Sequence, residues 1–207
     1  MYMTRVMLKR VQQPNIIHGI LSAAFPGKRS EKTNESLWRV DSVEDRKELL
    51  IVSVSSPELK LIVEKIGADD ERNKTLDYAP FLGRIKNGQT WNFRLCANPV
   101  EHKKKNPSDK RGKIYALRSV LEQLQWLDKQ GFEHGFSVKG CSIINDEWRI
   151  FKAGKNGEKN AVRIRAITFE GLLSITNAEV FRLALTRGIG RGKAYGCGLL
   201  TIARAQV

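Results

Sequence analysis

Apolar and polar positions change rhythm along this chain, alternating in some stretches and recurring every three or four residues in others. Met3–Lys9 is a short apolar run that predicts a strand. Pro14–Phe25 places Ile16, Ile17, Ile20, Leu21, Ala24 and Phe25 on one helical arc, opened by Pro14 and Asn15 and stopped by Pro26-Gly27. Leu37–Val43 and Leu49–Ser55 flank the charged turn Glu44–Glu48 and predict a hairpin. Pro57–Ile66 reads as a short helix. Thr90–Val100 alternates as a strand through Trp91, Phe93 and Leu95.

The second half repeats that order. Tyr115–Gln130 carries leucines and Trp126 at helical spacing and stops at Gly131. Cys141–Phe151 and Ala161–Ile175 are strand-like, joined by the polar turn Ala153–Asn160, and Asn177–Arg187 reads as a helix capped by Asn177. Leu199–Ala203 closes as a strand. Thr90–Val100 fits either as the last strand of the first unit or as the first strand of the next. The pattern predicts an α+β chain of two tandem βαββαβ, ferredoxin-like (RRM-like) units, residues 1–88 and 89–207. Aromatics are sparse on these strands, so the sheet does not read as a base-stacking platform.

Composition adds a partner class. With 207 residues and 41% hydrophobic content, the chain can build a full core. Its net charge of +14 is concentrated. His102–Lys113 and Trp148–Arg165 each carry six cations against one anion, and Val180–Val207 carries five cations and no anion. Each segment nets +5, which accounts for the whole excess and points to nucleic acid as partner. The three cysteines, Cys96, Cys141 and Cys197, are far apart and lack metal-ligand spacing, so they read as buried thiols in a reducing compartment. The N-terminus lacks a signal peptide's apolar segment and no run approaches a membrane span, so a cytoplasmic protein is expected.

Candidate chemistry sits in three places. Leu185–Ile202 holds five glycines within eleven residues, with Arg187, Arg191 and Lys193 around Gly188, Gly190, Gly192, Gly196 and Gly198. It fits neither a dinucleotide fingerprint nor a P-loop, because it follows a helix, precedes a strand and lacks the required glycine spacing. Two readings stay open here, a phosphate cradle of backbone amides and cations or a tight crossover that needs glycine. His18 lies at the edge of the first helix's apolar arc, with Asn15 and Ser22 on the polar side. A half-buried imidazole there is placed to move protons, and a boundary histidine bonded for stability is the alternative. The third place is a cationic β-ribbon, with Arg149, Arg163 and Arg165 on its strands and Lys152, Lys155 and Lys159 around its tip. Its lysines either meet phosphates in a groove or are simply solvated.

The loop Gly188-Ile-Gly-Arg-Gly-Lys-Ala-Tyr-Gly-Cys-Gly-Leu-Leu resembles the C-terminal glycine-rich loop of the repeat-associated CRISPR (RAMP) proteins. The start Met-Tyr-Met-Thr-Arg-Val, the helix His18–Pro26, the segment Phe93–Pro99 and Thr168–Leu173 together look like the CasE family of CRISPR-repeat endoribonucleases. That resemblance implies two ferredoxin-like domains and metal-independent cleavage of precursor CRISPR RNA at the repeat stem-loop, without a cofactor. It implies a ribose 2′-hydroxyl attacking the adjacent phosphate, leaving a 2′,3′-cyclic phosphate and a 5′-hydroxyl. It also implies that the product hairpin stays bound, within a Cascade complex of other subunits. His18 matches the family's catalytic histidine. Some relatives carry a tyrosine three residues earlier, where this chain has Asn15, so the second catalytic group stays open. Asn15 is then left to orient, while Lys28 or Arg29 is a candidate for steadying the phosphate. The family's basic hairpin enters the major groove of the stem, which here would involve Arg149–Arg165. The rival reading is a noncatalytic RAMP subunit that only binds guide RNA.

Overall fold

The computed structural model describes residues 1–25, 36–43, 45–103, 112–153 and 160–205. In the first half, β1 (Tyr2–Leu8), β2 (Ser36–Val43), β3 (Arg46–Ser53) and β4 (Lys74–Asp77) form an antiparallel sheet of order β2-β3-β1-β4. Helices α1 (Pro14–Ala23) and α2 (Leu59–Ile66) connect β1 to β2 and β3 to β4. A short helix α3 (Ala79–Leu82) leads to the second half.

There β5 (Thr90–Ala97), β8 (Phe136–Ala153), β9 (Asn160–Ile175) and β10 (Leu200–Arg204) form a sheet of order β10-β5-β9-β8. Its helices are α4 (Val120–Glu133) and α5 (Ala178–Arg187). With the hairpin β6 (Val100–Lys103) and β7 (Lys113–Ala116) set aside, both halves read βαββαβ with the same spatial strand order. The fold is a tandem of ferredoxin-like units. Thr90–Ala97 pairs with β9 and β10, so it belongs to the second sheet, while Lys74–Asp77 closes the first.

Local sequence explains the element limits. Pro14 supplies the fixed φ that opens α1, and Ile17 and Leu21 turn inward against Trp38, Leu49 and Ile51. Helix α4 starts later than its leucine pattern suggests, because Ser119 and Glu122 form a capping box and residues 115–116 belong to β7. Asn177 caps α5 as expected, its side chain accepting from the amides of Glu179 and Val180.

Two features set up the site. Arg39 on β2 is buried and donates to the Asp41 carboxylate at 2.6 and 2.7 Å. It also donates to the Arg94 and Leu199 carbonyls, each at 2.9 Å, and to the Thr201 hydroxyl, tying the first sheet to β5 and β10. The second feature is the β8–β9 pair, which outruns its sheet. β5 pairs with β9 from Ile167 to Ser174, whereas β8 and β9 continue together to the Ala153–Asn160 rung. The overhang is a two-stranded arm.

Candidate active site

Alternation decides which side chains of the arm face the protein. Arg149 and Phe151 on β8 share a face with Val162 and Ile164 on β9. That face packs on Cys96, Cys197 and Tyr195. Trp148, Ile150 and Lys152 lie on the other face with Arg163 and Arg165. Trp148, Ile150, Lys152 and Arg163 are exposed.

The glycine loop lies under the inner face. Gly188, Gly190, Gly192, Gly196 and Gly198 all have positive φ, between 74° and 92°. Gly192 and Gly196 are left-handed and bracket a single 3-10 turn, Lys193–Tyr195. A Cβ on Gly196 would sit 2.8 Å from the Trp38 ring and 3.0 Å from Arg149. The crossover therefore needs glycine for backbone conformation and for close approach. Most of its amides are already bonded: Gly188 to Ala184, Ile189 to Gly198, Tyr195 and Cys197 to Gly192, Gly196 to Lys193, and Gly198 to Cys96. Arg191 also bridges to Asn98, so the loop's main chain is largely committed to holding its own crossover. Gly188 is buried and acts as the exit of α5.

The 3-10 turn packs directly on α1. The Tyr195 ring lies between Phe151, 4.8 Å away, and His18, 6.5 Å away. Arg149 fixes the turn from above, donating to the Tyr195 carbonyl at 2.8 Å and to Glu147 at 2.8 Å, with Cys96 Sγ at 3.7 Å. His18 faces outward on α1, and the Ser22 hydroxyl donates to its carbonyl at 2.8 Å. Desolvation holds the imidazole pKa below its ordinary value, although part of the residue remains in contact with solvent. The ring is therefore neutral at neutral pH and able to accept a proton. Asn15 lies one turn earlier, and its buried Oδ1 has no hydrogen-bond partner among the described residues. Below the turn the Cys96 and Cys197 thiols are buried and free, and Cys141 is half-buried.

The structure sorts the sequence candidates. It brings His18, Asn15 and the glycine loop together across the two sheets, and adds Tyr195, which residue spacing alone did not single out. Arg149, expected on an RNA-facing hairpin, is turned inward with three partners. Arg165 lies at the arm's base, bonded to Asp146 at 2.8 and 2.5 Å and to the Leu117 and Arg118 carbonyls. Lys193 donates to the Arg187 carbonyl at 2.7 Å, at the C-terminus of α5. The outward cations are Lys152, Arg163, Arg187 and Arg191. Lys28, Arg29, Lys155 and Lys159 lie outside the described residues. Among the described residues no group of three or more His, Cys, Asp or Glu is gathered as a metal site, and no helix is long and apolar enough to cross a membrane.

Known proteins resemble this chain over nearly its whole length. The chain is 28% identical over 210 residues to the CRISPR-associated endoribonuclease Cse3 of Thermus thermophilus, covering 97% of this chain and 94% of that one. It is 26% identical to the CRISPR system Cascade subunit CasE of Escherichia coli, covering 98% and 99%. The solved structure of Thermus thermophilus Cse3 bound to an RNA representing a pre-cleavage complex superposes with a TM-score of 0.78 at 25% identity, covering 98% of each chain. The sequence model of the family described as CRISPR associated protein matches residues 1–204. With both sheets, the glycine loop and the histidine-bearing helix inside that match, the chain belongs to this CRISPR-associated protein family.

Proposed function

We propose that the chain is a metal-independent endoribonuclease that cleaves precursor CRISPR RNA within the repeat stem-loop and then keeps the product hairpin as a Cascade subunit. One observation carries this reading. His18, its pKa lowered by desolvation, stands at the seam between the two sheets, beside the Tyr195 ring of the glycine loop and near a cationic arm. Resemblance over the whole chain to a named endoribonuclease and a named Cascade subunit supports it.

In this reading residues 1–88 form the cutting unit and 89–207 the holding unit. Neutral His18 takes the proton of the ribose 2′-hydroxyl as its oxygen attacks the adjacent phosphorus. The bond from phosphorus to the 5′-oxygen breaks, and that oxygen leaves as a 5′-hydroxyl by taking a proton from water. A 2′,3′-cyclic phosphate remains on the other fragment. Asn15 orients the reacting groups, while Lys28 or Arg29 offsets charge on the pentavalent phosphate. Arg163, Lys152, Arg187 and Arg191 meet phosphates of the stem. The reaction is placed in the cytoplasm, with precursor RNA.

A labelled repeat RNA incubated with the protein in EDTA tests the reading. Expected products end in a 2′,3′-cyclic phosphate and a 5′-hydroxyl, and His18→Ala slows their formation by roughly 10²–10⁴-fold. Cleavage abolished by EDTA would remove metal independence. Tight hairpin binding without a cut strand would leave only the noncatalytic subunit.

A further inference from the structure

The outer face of the arm does not end at its cations. Where it meets the β6–β7 hairpin and the start of α4, the chain encloses an open cavity of about 720 Å³. Trp148 and Arg163 from the arm, Tyr115 and Ile114 from β7, and Arg118 from the α4 approach line it. Trp148 is 51% exposed and Tyr115 47%, unusual for two large rings in one cavity. Its walls are held in place: Arg165 joins the arm to the Leu117 and Arg118 carbonyls, and the Ser119–Glu122 box fixes the helix start. Asn98 also lines the cavity, and its buried side-chain oxygen has no hydrogen-bond partner among the described residues.

We infer that this cavity is a second RNA subsite, which takes unpaired nucleotides adjoining the repeat stem by stacking bases on Trp148 and Tyr115. The inference rests on the repeat-RNA reading above and adds a place for RNA outside the stem. Its chemistry favours a single strand. Exposed aromatic faces accept any unstacked base, whereas a duplex offers its bases only edge-on. Arg118 supplies positive charge for the backbone phosphates of the flank, and Arg163 lies where flank and stem meet. Of the two acidic groups in the lining, Glu101 is paired with Lys103, and Glu122 is turned to the Ser119 hydroxyl and the amide of Arg118 at the helix start. A protein partner would also cover two rings, but the arginines beside them suit the phosphates of a strand.

Binding measured in the cleavage-deficient His18→Ala chain separates the cases. Three RNAs are compared: a repeat hairpin trimmed to its paired stem, the same hairpin with an unpaired 5′ segment, and the same with an unpaired 3′ segment. One flanked RNA should bind about tenfold tighter than the trimmed one, and Trp148→Ala or Tyr115→Ala should erase that advantage. Both variants should bind the trimmed hairpin within about 2-fold of the parent, since neither ring belongs to the stem contact. Bound flank should also quench indole emission, and Trp148→Phe should remove that quench. Equal binding of all three RNAs by the parent would overturn the subsite, as would an equal loss on trimmed and flanked RNA. Unchanged RNA binding with lost assembly onto other Cascade subunits would assign the rings to a protein. Failure of the parent to bind any repeat hairpin would instead sink the underlying repeat-RNA reading.

Discussion

The two faces of the β8–β9 arm carry the same kinds of residue and do opposite things. Arg149 pairs across from Ile164, and Arg163 sits one rung farther along, across from Ile150. Arg149 keeps only 17% of its side-chain surface and spends its guanidinium on Glu147 and the Tyr195 carbonyl. Arg163 points into the solvent with Trp148 and Lys152. One side of the arm therefore builds the site, pressing the glycine loop against α1, while the other offers charge and rings to a ligand. Counting cations along a hairpin misses this division. A period of two creates it, because each step along a strand changes the environment from loop to water.

The largest break in that comparison is expected from Arg149→Ala. It strands the Tyr195 carbonyl without its donor and leaves a gap beside Phe151, a cost of about 1–3 kcal/mol. For a chain of this size the melting temperature should fall by roughly 2–12 °C. Arg163→Ala should stay within about 0.5 kcal/mol of the parent. Equal losses for the two variants, read in one thermal melt, would erase the difference between the faces.

The outer face is tested by salt. Arg163→Ala combined with Lys152→Ala removes two outward cations without touching the glycine loop. Each lost phosphate contact should flatten the slope of log affinity against log salt by about one unit. Arg149→Ala, measured as the folded fraction, should leave that slope unchanged. A steeper effect from Arg149 would mean that its inward bonds open when RNA arrives.

Much of this was legible from pattern, and the misses share a cause. Asn177 as a cap, Pro14 as a helix start and the paired βαββαβ order follow from local chemistry and periodicity, and all appear in the structure. β4 escaped because four residues with Leu76 as their one large apolar side chain, itself exposed, carry no alternation. The β6–β7 hairpin was hidden by a basic run that reads as loop. The parity of the arm was ambiguous, since Trp148 and Ile150 make its outer face look as apolar as the inner one. Tyr195 was hidden among glycines, and only the packing of α1 on the 3-10 turn gives it a place beside His18.

The imidazole itself gives a smaller and sharper signal. Desolvation disfavours its charged form, so its folded pKa lies below the ordinary value of about 6.5. A base must be neutral to work, so activity is present above that pKa and lost as pH falls through it. The acid limb of cleavage should therefore lie below about pH 6.5, and the rate should be flat between there and about pH 8. Tyr195→Ala opens one side of the ring to water and should move the limb upward. Activity lost instead as pH rises through the imidazole pKa would make His18 a proton donor, and an acid limb above pH 7 would contradict its desolvation.

The smallest effect is expected where a tyrosine beside a catalytic candidate invites the strongest assumption. Tyr195 touches the site through its ring, tilted 58° to the imidazole and 56° to Phe151, while its backbone carbonyl holds Arg149. These contacts belong to the aromatic face and the main chain, and phenylalanine keeps both. Tyr195→Phe should thus cleave repeat RNA within about 3-fold of the parent, whereas general acid or base work by the hydroxyl would cost on the order of 10²-fold or more. Single-turnover rates at saturating protein separate those outcomes without interference from binding. A large loss in Tyr195→Phe would supply the second catalytic group that Asn15 leaves open, and would make the glycine loop a cutting element as well as a wall.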